Sequence, residues 1–142
     1  MPTLCRITIY PIKSLDGVEV ASASVLPNGA LENDRRWAIL DRQGRAVNGK
    51  RTPAVHLVRA TFDAPLSSVT LSGAGPTQAF CLADEAPAIA AWLSTAVQLS
   101  CRLIESRDGG FPDDDDAPGP TVIGAASLAT AASWFPPVDL SE

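Results

Sequence analysis

What most limits the fold of this chain is how briefly any pattern runs in its first half. "CRITIY" stops at a Tyr-Pro break, and "SLDG" turns the chain into "VEVASASV". "RRWAILD" runs into "RQGR" and a short "AVN", and "HLVRATFD" and "SVTLSG" follow. Cys5, Ile7 and Ile9 alternate with Arg6 and Thr8, the two-residue period of a strand. Asp16-Gly17 is a good reversal signal between the first two segments. Short strands separated by Gly, Pro and Asp, with no helix between them, predict a small antiparallel barrel or sandwich.

One helix is legible. In "DEAPAIAAWLSTAVQL", Ile89, Trp92, Leu93, Ala96 and Val97 fall on a single apolar stripe. Asp84 and Glu85 stand at its start, where carboxylates suit unpaired N–H groups, and Pro87 is tolerated in the first turn. A last strand, "CRLIE", follows. The fold class is therefore mainly β (α+β), a small antiparallel β-barrel with one packed helix, followed by a short strand-helix remnant. The division is 1–106 for the barrel, 107–120 for an acidic Pro/Gly/Asp linker, and 121–142 for the truncated start of another domain. In the linker, "PDDDDAPGP" lacks the EF-hand spacing of glycine and distal glutamate and reads as solvated chain. In the last segment, "TVIGAASL" reads as a strand leading into a helix, with Ser127 or a neighbour as its cap and Leu128, Ala131 and Trp134 on its apolar side.

Charge is unevenly spread. Residues 1–59 carry nine Lys/Arg against five Asp/Glu, and residues 60–142 carry two against eleven, so +4 and −9 sum to the net −5. An acidic protein with a basic front argues against wholesale binding of nucleic acid or anionic membrane; the front suits a local anion site, and scattered surface charge explains it as well. Three cysteines, Cys5, Cys81 and Cys101, each lie in an apolar run without a CxxC pair or a Cys/His cluster; packing is the reading for all three. No signal-peptide pattern and no run of about 20 apolar residues occurs, so a cytoplasmic protein is expected.

The chemistry gathers at "YPIKS". Pro11 removes a backbone donor at the strand exit. Lys13 offers a compact cation with three donors, and Ser14 adds a hydroxyl and an N–H; together they suit one oxyanion such as a phosphate. At the next strand entrance, "NDRRW", Arg35 and Arg36 alternate sides, and Asp34 is placed to hold a guanidinium fork. Taken alone, such a turn more often serves solubility and capping. No P-loop, GxGxxG, HExxH or nucleophile elbow is present.

The order of these motifs carries more information than any one of them. The aromatic-Pro-x-Lys-Ser turn of "YPIKS", the glycine before the second strand, "DRRWAI", and "GR" ahead of "RTP" resemble the N-terminal β-barrel domain that precedes the MOSC domain. That family comprises the C-terminal region of molybdenum cofactor sulfurase and the amidoxime-reducing molybdenum enzymes. The "WL" helix with "CRL" is similar to the end of that barrel, and "FPD" and "IGAASL…WF" to the linker and first elements of a MOSC domain. The resemblance implies that Lys13, Ser14 and Arg35 help to hold the phosphate end of a molybdopterin cofactor, with Asp34 orienting an arginine and Trp37 filling the barrel. Pro112, Asp113 and Ser127 would lie near the cofactor. The expanded aspartate run departs from the family's shorter linker.

The family's molybdenum-ligating cysteine lies further into the MOSC domain, and none of the three cysteines here matches it. His56, in "VHLVRATF", suits a packed or surface imidazole. Residues 1–142 would then not be catalytic alone. They would form part of a molybdenum-dependent oxidoreductase, with the remaining MOSC domain supplied in cis or in trans and electrons delivered by a separate redox protein. The alternative is a free-standing, non-catalytic barrel that binds a phosphorylated ligand or a protein partner. A third reading, pyridoxal-phosphate chemistry on Lys13, is the weakest, because the neighbours Ser14 and Asp16 do not make the apolar pocket that a Schiff-base lysine needs.

Overall fold

The computed structural model describes Met1 and residues 3–135. Among them, seven short strands and two α-helices form a mixed α/β fold. The strands are β1 (Thr8–Ile9), β2 (Val18–Glu19), β3 (Trp37–Asp41), β4 (Arg59–Phe62), β5 (Ser68–Ser72), β6 (Gln78–Cys81) and β7 (Cys101–Glu105). A 3-10 helix, Pro53–Leu57, precedes β4, and the α-helices are α1 (Ala86–Val97) and α2 (Ala125–Ser133). The ladders make three small antiparallel sheets: β1 with β2, β3 with β7, and β4-β5-β6.

Alternation places the core. In β4, Ala60 and Phe62 point inward, and their cross-strand partners on β5 are Leu71 and Val69. Val69 in turn faces Phe80 on β6, so one apolar face runs across all three strands. β3 is buried at Trp37, Ala38 and Ile39 and pairs along its length with β7, from Trp37 opposite Glu105 to Asp41 opposite Cys101. α1 closes the cluster with Ile89, Trp92, Leu93 and Val97, against β7 and the 3-10 helix. Ile12, Leu15, Ile39, Leu71 and Leu103 join the same core. The helix stops where Gln98 takes a left-handed conformation and Leu99 N–H bonds the Ser94 carbonyl at 3.1 Å.

The structure departs from the sequence reading in several places. The first hairpin pairs only two residues per strand, and Cys5 lies before it, exposed rather than packed. β6 was not foreseen; its "QAFC" shows two exposed residues before Phe80 turns inward, which gives little alternation to read. Glu85 precedes α1, but its carboxylate accepts from Cys81 N–H at 2.6 Å instead of capping the helix. Residues 121–124 form no strand, and Gly124, not Ser127, occupies the N-cap of α2. α2 buries none of its residues, and Val122, Ile123, Trp134 and Phe135 are exposed. The rest of the expected third segment, residues 136–142, lies outside the described residues. No helix among the described residues is long and apolar enough to cross a membrane.

Candidate functional site

The strand exit after β1 is locked onto β3 by backbone. Lys13 N–H donates to the Trp37 carbonyl at 2.8 Å, Trp37 N–H to Pro11 at 3.0 Å, and Arg35 N–H to Tyr10 at 2.8 Å. These bonds bring "YPIKS" and "NDRRW" side by side although eighteen residues separate them. Ser14 (φ 73°), Asn33 (φ 66°) and Arg35 (φ 50°) all adopt left-handed backbone. Two of the three anticipated phosphate-binding residues therefore sit in a conformation that non-glycine residues avoid, the kind of local strain that gathers at binding sites.

Asp34 is buried and spends both oxygens. One accepts Tyr10 N–H at 2.8 Å, and the other takes Arg35 through Nε at 2.9 Å and a terminal nitrogen at 2.7 Å. This two-nitrogen grip fixes the guanidinium plane and leaves its remaining nitrogen directed elsewhere. That nitrogen lies 3.4 Å from one carboxylate oxygen of Asp113, and Lys13 Nζ lies 3.0 Å from the other. Lys13 also donates to the Phe111 and Pro112 carbonyls, at 3.0 and 2.9 Å. Lys13 and Arg35 thus converge on one carboxylate, and each is largely covered while Asp113 is exposed. The Lys13 hydrogen bond, with the Arg35 charge behind it, holds the Asp113 carboxyl below its ordinary value.

The segment supplying Asp113 reaches the site through a close backbone approach. Phe111 N–H bonds the Arg35 carbonyl at 2.8 Å, and Gly110 sits at φ 67° where an added Cβ would stand 2.8 Å from the Asp34 carbonyl. Only glycine fits there. The double glycine ahead of "FPD" was the available signal for this contact.

Ser14 stands beside Lys13 at the turn and is exposed. Ser127 opens no helix cap and lies in the exposed α2. Trp37 is buried in the core. Arg36 is no solvated spare: it bonds Asn33 at 2.8 Å and Glu105 on the paired strand at 2.7 Å, with its guanidinium 4.6 Å from the Trp37 ring centre. Arg107 shares the same Glu105 oxygen at 3.0 Å. A cleft of about 230 Å³ beside this pair is lined by Asn33, Asp34, Arg36 and Arg107 among others, but neither Lys13 nor Arg35 lines it. Among the described residues no group of three or more His, Cys, Asp or Glu is placed to hold a metal ion.

Residues 1–100 match the family model of the MOSC N-terminal beta barrel domain. The human mitochondrial amidoxime-reducing component 1 is 30% identical over 115 residues, covering 76% of this chain and 32% of that protein. Molybdenum cofactor sulfurase of Drosophila grimshawi is 33% identical over 76 residues, 54% of this chain and 10% of that protein. The corresponding sulfurase of Botryotinia fuckeliana is 37% identical over 75 residues, 50% of this chain and 9% of that protein. The chain thus spans a third or less of these relatives. It belongs to the MOSC N-terminal beta barrel domain family.

Proposed function

We propose that this member of the MOSC N-terminal family forms one wall of a molybdopterin pocket, with Lys13, Ser14 and Arg35 holding the cofactor's phosphate. The observation that carries the reading is the convergence of Lys13 and Arg35, at 3.0 and 3.4 Å, on the two oxygens of a single carboxylate. That carboxylate stands where a phosphate would present two of its own oxygens. The residues fit the group: a point cation, a forked guanidinium braced by Asp34, and a hydroxyl at the adjoining turn match a dianion's needs. When bound, the cofactor would supply two-electron redox chemistry at molybdenum. This chain's residues would bind and orient its phosphate end, and the metal ligand would come from a MOSC domain in cis or in trans.

The relatives named for molybdenum cofactor sulfurase and for amidoxime reduction support this reading. So do the exposed apolar residues Val122, Ile123, Trp134 and Phe135, which suit further chain packed over α2. The three sheets around one core suit the closed barrel of the family name. A separate redox protein would deliver electrons, and the setting would be cytoplasmic. A second reading, a free-standing module for a phosphorylated ligand or a protein partner, draws on the fact that both cations and their Asp34 brace belong to this chain.

The test is a phosphorylated pterin titrated into the protein. Lys13→Ala and Arg35→Ala should each weaken binding about ten-fold or more, as expected for a charge-assisted contact to a dianion. Full affinity in the Lys13 variant would remove the opening motif from the site. Protein from its native cells that carries no pterin fluorescence after oxidation, yet binds phosphate, would favour the second reading.

A further inference from the structure

Lys13 has three N–H donors and three acceptors in reach: the Phe111 carbonyl, the Pro112 carbonyl and an Asp113 oxygen, at 3.0, 2.9 and 3.0 Å. Its donors are therefore spent on one tripeptide. Arg35 is in the same position, with two nitrogens on Asp34 and the third facing Asp113. The cleft beside them is lined by other residues. The cations that suit a phosphate are thus already occupied by the chain's own carboxylate, on a segment tied down by the Phe111-to-Arg35 backbone bond.

We infer that Asp113 is a built-in competitor for the anion site, so that a phosphate group binds between Lys13 and Arg35 only by displacing this carboxylate. The inference rests on the phosphate reading above and adds a closed state to it. The geometry favours a displaceable plug over a permanent brace. Asp113 is 78% exposed, whereas Asp34, which makes the tighter Arg35 contacts, is 9% exposed. An exposed carboxylate at 3.0 and 3.4 Å in water is weakly held, while a dianion in the same place gains more from both cations. Displacement need not disturb the fold, because the Phe111 and Pro112 carbonyls can stay on Lys13 while the Asp113 side chain swings out. The charged groups facing Asp113 are Lys13 and Arg35, with Asp34 behind the arginine.

The probe is inorganic phosphate, titrated into the full chain and followed by calorimetry and by the Asp113 side-chain carboxyl signal in carbon NMR. Asp113→Asn removes the charge at an exposed position and keeps the shape; Asp115→Asn removes an equal charge two residues along. Asp113→Asn should bind phosphate on the order of ten-fold more tightly than the wild type, and Asp115→Asn should match the wild type. In the wild type, phosphate should move the Asp113 carboxyl signal toward that of a free aspartate. Equal affinity in Asp113→Asn and wild type, or binding that leaves the Asp113 signal unmoved, overturns the displacement and leaves the phosphate reading standing. Equal tightening by Asp115→Asn would assign the effect to general charge and also overturn it. No binding by Asp113→Asn, the form with the competitor gone, ends both.

Discussion

Asp34 shows how one buried side chain can set a site it does not itself form. Its two oxygens satisfy Tyr10 N–H and the Arg35 fork, so removing them has separable effects. Asp34→Ala leaves a backbone donor and a half-buried guanidinium without their acceptor. It should lower stability by about 2–3 kcal/mol in urea denaturation, and should weaken phosphate binding because Arg35 is no longer aimed. Asp34→Asn keeps an oxygen for Tyr10 but offers the arginine no charge. Its stability should fall by about 1 kcal/mol, while its phosphate affinity should fall nearly as far as that of the alanine variant. A pair of variants that lose stability and affinity in the same ratio would mean that Asp34 only supports the fold. At this scale the sequence was informative: "DRRW" holds the arginine and its brace in adjacent positions. What it could not show was which arginine turns toward Lys13. That depends on the left-handed backbone at Asn33, a type that favours it, and at Arg35, a type that does not.

Among elements, the segment from Gly110 to Asp113 decides how the site is covered. Gly110→Ala would require a φ of 67° from an L-residue and would set its Cβ 2.8 and 2.9 Å from two backbone carbonyls, neither of which can rotate away. The expected outcome is that this segment lifts while the core stays intact. Exchange of the Phe111 amide should speed up, as should proteolysis between residues 107 and 120, at a global cost of about 1–2 kcal/mol. Unchanged Phe111 exchange would show that the close approach is not what seats the segment. Here lies the division between what was legible and what was not. β3, β5, β7 and α1 could be read from period and apolar content, because each buries a face whose pattern is local. The exposed "QA" of β6 carries no such pattern, and the flank of β1 carries the alternation without the burial, since Cys5 is exposed. For the site, Lys13 stood out by residue type, and Arg35 was separated from Arg36 by the resemblance. Their closure by carbonyls 98 and 99 residues from Lys13 is a tertiary contact, which the resemblance anticipated only as Pro112 and Asp113 lying near a cofactor.

Across the whole molecule, the carboxylates that pair with the basic front set its behaviour in acid. Among the described residues four carboxyls titrate below their ordinary values, three of them paired with cations of the front and the fourth, Asp63, held by serines. The Lys13 hydrogen bond lowers Asp113, the Arg45 backbone N–H lowers Asp41, and the Ser67 hydroxyl lowers Asp63. At Glu105, burial pushes upward but the Arg107 and Arg36 bonds outweigh it. A carboxyl lowered by folding binds its proton more weakly in the native state than in the unfolded chain. Its contribution is complete above the ordinary values, 3.8 for Asp and 4.5 for Glu, and is lost as pH falls through the lower native values. One effect opposes this: the chain carries a net charge of −5, and acid lessens the self-repulsion of that excess. That repulsion acts between solvated side chains and is screened within about 8 Å at 0.15 M salt, whereas the four lowered carboxyls are held by direct bonds. The bonds therefore win. The urea midpoint should stay level from pH 7 to about 5 and decline steadily below about 4.5. Asp113→Asn should decline less steeply, since one of the four is gone. Dilution of the salt should lower the neutral plateau without reversing the slope. A midpoint that climbs as the pH drops through 4 would show that repulsion from the net negative charge outweighs the paired carboxylates.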